Sequence, residues 1–156
     1  MNEATTGATW GELAAAHPAL AAFGAQLLGG APAYLATVKP DGSPRVHPVT
    51  PIISADHLFL FMEPTSPKGK DLRERPSFML HNGVPDMNGT GGEFHVSGWA
   101  TPTEGPEARA EAAAAAAYSP ADRYILFELR VNEARANGYG DVTLPDPPRW
   151  RAARAR

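Results

Sequence analysis

The stretch Ser66-Pro67-Lys68-Gly69-Lys70 offers the clearest chemistry in this chain of 156 residues. A serine followed by proline suits the N-cap and first position of a helix, where the leading backbone N–H groups have no partner within the helix. Lysines beside such donors make an anion site, because the helix dipole favours negative charge and each ammonium adds a point charge. A capped helix lying on the surface has the same spacing, so the stretch alone leaves both readings open. Upstream stands Arg45-Val46-His47-Pro48-Val49-Thr50. Along a strand, Arg45, His47 and Val49 share one face while Val46, Pro48 and Thr50 share the other. Pro48 cannot donate to a ladder, so this strand lies at a sheet edge or carries a bulge. Ordinary surface pairing is the competing role for Arg45 and His47. Downstream, Glu93 and His95 lie two apart and face one way on a strand.

Other chemistries are poorly supported. His47, His81 and His95 are common ligand types, but their separations form no metal-binding signature, and neither HxH nor HxxxH occurs. No metal is expected. The absence of cysteine excludes a disulfide framework, a thiolate zinc site and a cysteine nucleophile. No GxSxG elbow marks a serine hydrolase. The run from Gly89 to Gly92 lacks the Lys-Ser/Thr ending of a phosphate loop. His47 or His95 remains available for proton transfer, since imidazole titrates near neutral pH.

The elements that must position these residues are short. Residues 1–8 are small and polar and read as a frayed end. Thr9 and Glu12 suit a capping box ahead of an Ala/Leu-rich helix, which Pro18 either breaks or restarts, and which Gly29-Gly30 stops. Trp10, Leu13, Leu20, Phe23 and Leu27 form its packing stripe. Strands are expected over 33–39, 43–53, 57–62, 76–81, 93–101 and 123–131, the last running on towards Tyr139. Pro40-Asp41-Gly42 is a turn, 64–75 a loop and short helix, 82–92 a flexible loop, and 106–118 an Ala-rich helix. The tail from Thr143 is rich in Pro and Arg and reads as extended. Six short strands with one helical insertion predict a mainly β protein, a small antiparallel barrel with helices at its ends. The division expected is a helical segment over 1–30, a barrel over 31–142 and a tail over 143–156.

Composition agrees with one globular domain, at 43% hydrophobic and 20% charged residues. Fourteen Lys and Arg against seventeen Asp and Glu give a net charge of −3, which argues against a nucleic-acid partner. No apolar run approaches the roughly 20 residues that cross a bilayer, and the first residues lack a signal peptide's basic start. A cytoplasmic protein without membrane association is expected.

Three pieces, AYLATVKPDGSPRVHPVTP, FLFMEPTSPKGKDLRERPSFMLH and EFHVSGWATPT, stand in an order that resembles the pyridoxamine 5′-phosphate oxidase-like family of split β-barrel proteins. The resemblance implies a six-stranded antiparallel split β-barrel and an FMN-binding oxidoreductase acting on a small molecule. It maps the FMN phosphate onto Arg45, Ser66 and Lys68. Many relatives have Arg where Pro67 stands here, so one phosphate contact is either missing or supplied by Lys70. Val46, His47, Thr50, Phe61 and Met62 become further cofactor contacts, Thr50 with a hydroxyl where better-known members have Lys. Glu93 stands where a Gln or similar group meets the flavin, and as a carboxylate it accepts but does not donate. Trp99 stands where a basic residue is frequent, as a pocket wall or a packing residue. No residue is assigned as catalytic.

Two other cofactors fit the same fold. Coenzyme F420 would need basic surface for its polyglutamate tail, for which Arg149, Arg151, Arg154 and Arg156 are candidates. Haem would need one axial histidine, and a flavin or haem could serve in a carrier or sensor rather than an enzyme. The resemblance also implies a homodimer with cofactor at its interface, the partner covering the ring from around Trp99 and the tail. Phe59, Phe61, Phe78, Leu80, Tyr124, Leu126 and Phe127 offer more apolar bulk than a small barrel interior needs, which points the same way. The substrate pocket is expected between loop 82–92 and the tail.

Overall fold

Thr9 and Glu12 form the reciprocal capping box, Thr9 N donating to the Glu12 carboxylate at 2.7 Å and Glu12 N to the Thr9 hydroxyl at 3.1 Å. They open α1 (Trp10–Ala16) in a computed structural model that describes residues 7–29 and 32–153. Pro18 restarts the chain as the first residue of α2 (Pro18–Gly29), where its missing N–H costs nothing. Gly30, half of the expected helix stop, lies outside the described residues, as do residues 1–6. Residues 7 and 8 are not frayed. Ala8 bridges Val131 in both directions, at 2.8 Å each way, and Arg130 donates to the Gly7 carbonyl.

The strands are β1 (Ala33–Val38), β2 (Pro44–Val49), β3 (Ile52–Ser54), β4 (His57–Met62), β5 (Ser77–Asn82), β6 (Glu93–Pro102), β7 (Ile125–Asn137) and β8 (Arg149–Arg151). The helices α3 (Pro67–Glu74) and α4 (Pro106–Ala115) are inserted after β4 and β6. All pairings are antiparallel, in the order β2-β1-β5-β6-β7-β4-β3 with β8 added to β7. The two end strands of that order, β2 and β3, are joined by only Thr50 and Pro51. Edges linked by two residues must lie close, so the sheet curls round, yet among the described residues no ladder closes it. This is a split β-barrel.

Two differences from the expected six strands follow from that curl. The single strand over 43–53 divides at Thr50-Pro51, because its halves pair on opposite ends of the sheet, β2 with β1 and β3 with β4. The tail is extended as expected but also joins the sheet as β8, with Ala134 opposite Trp150. Pro48 sits in a terminal strand, where its missing donor breaks no second ladder. The Ala-rich helix ends at Ala115, short of 118. Arg109 donates to the carbonyls of Ala121, Asp122 and Tyr124, and so draws the following loop back along the helix.

β6 and β7 shift register between Ser97 and Gly98. A Cβ on Gly98 would stand 1.8 Å from the Arg130 carbonyl oxygen, so only glycine allows the two backbones to approach there. The main core lies inside the curl, with Trp10, Leu13, Leu20 and Leu28 from the helices against Leu35, Leu80, Phe94, Val96 and Phe127. Phe23 and Leu27 of the expected stripe pack at its margin. The apolar excess is absorbed within the chain. Phe59, Phe61 and Leu126 form a second core under α4 with Ile52 and Ala112, and Phe78, Leu80 and Phe127 are buried in the first. Tyr124 packs against the second core. Among the described residues, no helix is long and apolar enough to cross a membrane.

Candidate functional site

Ser66 caps α3 as expected, accepting from Gly69 N at 3.1 Å and donating to the Glu63 carbonyl at 2.7 Å. Gly69 is required here. A Cβ would meet the Glu63 carbonyl oxygen at 2.7 Å and the Ser66 hydroxyl at 2.9 Å, pushing the cap apart. The cap also consumes donors. Pro67 has no N–H, Gly69 N goes to the Ser66 side chain and Lys70 N to the Ser66 carbonyl. Among the described residues, the Lys68 N–H is the backbone donor left over in this turn, beside its own ammonium.

The Arg45 guanidinium joins the cluster from β2. Its Nε donates to Asp71 Oδ2 at 2.7 Å, and the Thr37 hydroxyl donates to the same oxygen at 2.8 Å. Arg75 Nη2 approaches the other oxygen at 3.3 Å, while Arg75 Nε donates to the Val38 carbonyl. Asp71 is only 2% exposed. Burial pushes its carboxyl up, but the hydrogen bonds from Arg45 and Thr37 outweigh that and hold it below its usual 3.8. The Nη groups of Arg45 make no hydrogen bond among the described residues, and its side chain is 25% exposed. His47 lies on the same face, two residues on. Burial lowers its proton affinity first, then the charges of Lys68 and Arg45, with Asp71 opposing. The histidine thus sits beside two cations and stands neutral at pH 7.

The structure therefore gathers Arg45, His47, Ser66 and Lys68 around the first turn of α3. Met62 borders it, its Cγ 3.0 Å from where a Gly69 Cβ would lie. Other expected contacts lie elsewhere. Lys70 is exposed on α3, and Val46 is on the opposite, outer sheet face. Phe61 packs under α4, with Arg109 5.2 Å from its ring centre. Thr50 is an exposed residue at the β2–β3 link, bordering an apolar cavity of about 530 Å³ with Leu28, Pro51, Ile52 and Ala115. Glu93 is at the far end of β6, its carboxylate 3.6 Å from His81 Nε2.

His81 and His95 stack on the outer face with ring centres 6.0 Å apart, while His47 pairs with Leu35 on the inner face, so the three do not converge. Among the described residues, no group of three or more His, Asp or Glu side chains gathers as a metal site would need. Trp99 lies on the outer face, opposite Arg130. A second hollow of about 600 Å³ lies between loop residues Asn88 and Thr90 and the segment Tyr139–Val142, so it takes the expected loop as one wall but the segment ahead of the tail, not the tail, as the other. Of the tail arginines, Arg149 and Arg151 are exposed and Arg151 is paired with Glu133, while Arg154 and Arg156 lie outside the described residues. Asp71 and Thr37 were not expected at the site. An aspartate directly after Lys70 on a polar helix gives no sign in sequence that it turns inward.

The family model for pyridoxamine 5′-phosphate oxidase matches residues 21–138. The chain belongs to this family. Its β2 and α3, which hold Arg45 and Lys68, both fall inside the matched region. No curated protein matches the chain. Among solved structures it is similar to a haem-binding protein from Mycobacterium smegmatis, with a TM-score of 0.65 and 22% identity over 80% of this chain. It spans 56% of that protein's length. It is also similar to a NimC/NimA family protein from Clostridium acetobutylicum, with a TM-score of 0.64 and 19% identity, covering 80% of this chain and 89% of that one. PhzG from Burkholderia lata, solved with tetrahydrophenazine-1-carboxylic acid, has a TM-score of 0.54 and 19% identity, covering 77% and 76%. At these identities the likenesses establish the shared pyridoxamine 5′-phosphate oxidase-type fold.

Proposed function

We propose that the chain is an FMN-binding oxidoreductase that acts on a small-molecule substrate as a homodimer. The observation that carries this is the gathering of Arg45, with its Nη pair free, and Lys68, with its backbone N–H free, around the capped start of α3. Such a donor set suits a terminal phosphate: a planar fork, a point charge and a helix N-terminus. Arg45 and Lys68 against Asp71 leave the local balance positive, as an anion requires. When bound, the flavin supplies the redox chemistry, and the protein supplies binding, orientation and electrostatics. His47, neutral at pH 7, is the titratable group beside this site and is able to accept a proton there.

The outer sheet face supports the dimer. Val46, Tyr34 and Met79 are 61%, 49% and 43% exposed on three adjacent strands, and Ala36 between them pairs with both Val46 and Met79. Glu93 and Trp99 share this face, opposite to the inner face that carries Arg45 and His47. In a two-fold pair they and the tail would serve the partner's cofactor, Glu93 as an acceptor only.

The absorption spectrum of the purified protein, followed by titration with FMN and with riboflavin, tests the reading. A flavin spectrum and much weaker binding of riboflavin are expected. A deazaflavin or haem spectrum overturns the assignment of FMN, and equal affinities reduce the α3 start to an ordinary capped helix. NAD(P)H turnover by the loaded protein separates an oxidoreductase from a carrier.

A further inference from the structure

Arg45 does not reach the site as a free side chain. It is gripped at one edge by a buried carboxylate, itself gripped from three sides. We propose that Asp71 is a positioning residue for phosphate recognition, fixing the Arg45 guanidinium by its Nε so that the two Nη groups form the fork offered to the ligand.

The proposal rests on the FMN reading above and assigns the residue that makes it work. A guanidinium presents five N–H donors in a rigid plane, so holding Nε leaves the Nη edge aimed in one direction. Asp71 Oδ2 takes that Nε at 2.7 Å. The carboxylate cannot swing to follow a moving arginine. Thr37 holds Oδ2 at 2.8 Å and Arg75 faces Oδ1 at 3.3 Å, while Arg75 is tied to the Val38 carbonyl at 2.9 Å. Those anchors belong to β1 and to the end of α3, so the fork is referenced to the same helix that carries Lys68. A fork set in advance loses less rotamer freedom when the ligand arrives.

The proposal has a sign that simple electrostatics does not share. Removing a negative charge near an anion site tightens anion binding by Coulomb's law alone. If Asp71 acts by positioning, removing its charge instead weakens binding, and only for ligands that carry the phosphate.

The test is fluorescence titration of the full chain with FMN and riboflavin in wild type, Asp71→Asn, Thr37→Val, Arg45→Lys and the Asp71→Asn/Arg45→Lys double variant. Asn keeps the volume and one acceptor. Asp71→Asn is expected to weaken FMN by about tenfold, the scale of one lost charged hydrogen bond, with riboflavin unchanged. Arg45→Lys, which has no Nε to hold, should lose as much, and the double variant no more than either single one. Thr37→Val should lose a few-fold with the same selectivity, and it carries the test if Asp71→Asn does not fold. Tighter or unchanged FMN binding in both Asp71→Asn and Thr37→Val overturns the proposal, as does an equal loss for both ligands or additive effects at 45 and 71. Wild-type protein that fails to prefer FMN over riboflavin overturns the FMN reading, and the proposal with it. Phosphate preference kept in wild type and equally in Asp71→Asn overturns the proposal alone.

Discussion

Lys68 and Arg45 approach a phosphate differently, and so they should fail differently. Lys68 contributes a point charge that no partner among the described residues fixes, so Lys68→Ala removes one charge-assisted contact worth about 1.5–3 kcal/mol. FMN affinity is expected to fall at least about tenfold, with riboflavin unaffected. Equal FMN affinity in the two proteins, by fluorescence titration, would remove Lys68 from the site. His47 reports on the same charges. Its proton affinity lies below the usual 6.5, lowered by burial and by Lys68 and Arg45. The unfolded chain therefore binds this proton first as pH falls. Below about 6.5 the histidine disfavours the folded state, progressively down to its depressed folded value. A bound phosphate reverses the local charge and should raise its proton affinity. NMR titration of His47 with and without inorganic phosphate checks both parts, and an unmoved midpoint would detach His47 from the anion site.

At the scale of elements, the site depends on two strands and a helix meeting where the sheet turns over. β2 brings Arg45 and His47 as an edge strand, β1 brings Thr37, and α3 brings Ser66, Lys68 and Asp71. The curl that sets these against one another is shaped where β6 and β7 slip register at Gly98. Gly98→Ala would drive a methyl group into the Arg130 carbonyl at 1.8 Å, with Asn132 N at 3.0 Å behind it. Both neighbours are backbone, so no rotamer relieves the clash. Such overpacking costs on the order of 1–3 kcal/mol, and each kcal/mol lowers Tm by roughly 2–4 °C in a chain of this size. Thermal unfolding of Gly98→Ala at the wild-type Tm would mean the two backbones are further apart than the structure places them.

For the whole molecule, the prediction is a pair. Tyr34, Val46 and Met79 form an apolar patch on a sheet face that stays exposed among the described residues. Sedimentation equilibrium at micromolar concentration should give about twice the chain mass of 16.5 kDa. Met79→Glu places a charge within that patch and should shift the mass towards a single chain, with cofactor binding weakened as the partner's Glu93 and Trp99 are lost. A wild-type monomer that keeps its cofactor would overturn the shared site.

Much of this was determined by local sequence. The cap at Ser66, the capping box at Thr9, the turn at Asp41-Gly42 and the alternation along β6 depend on neighbours within a few residues, and all were legible. So was the likeness of the Arg45 and Ser66 segments to one family. What sequence could not decide were the contacts made between elements far apart in the chain. Asp71 reads as one more charge on a polar helix until the fold sets it against Thr37 and Arg45, 34 and 26 residues away. Phe59 and Phe61 read as surplus apolar bulk until α4 covers them. The break at Thr50-Pro51 exists only because the sheet curls far enough for its two edges to meet. Burial, and the pairing that makes a buried charge tolerable, are properties of the closed shape, and only tertiary structure assigns them.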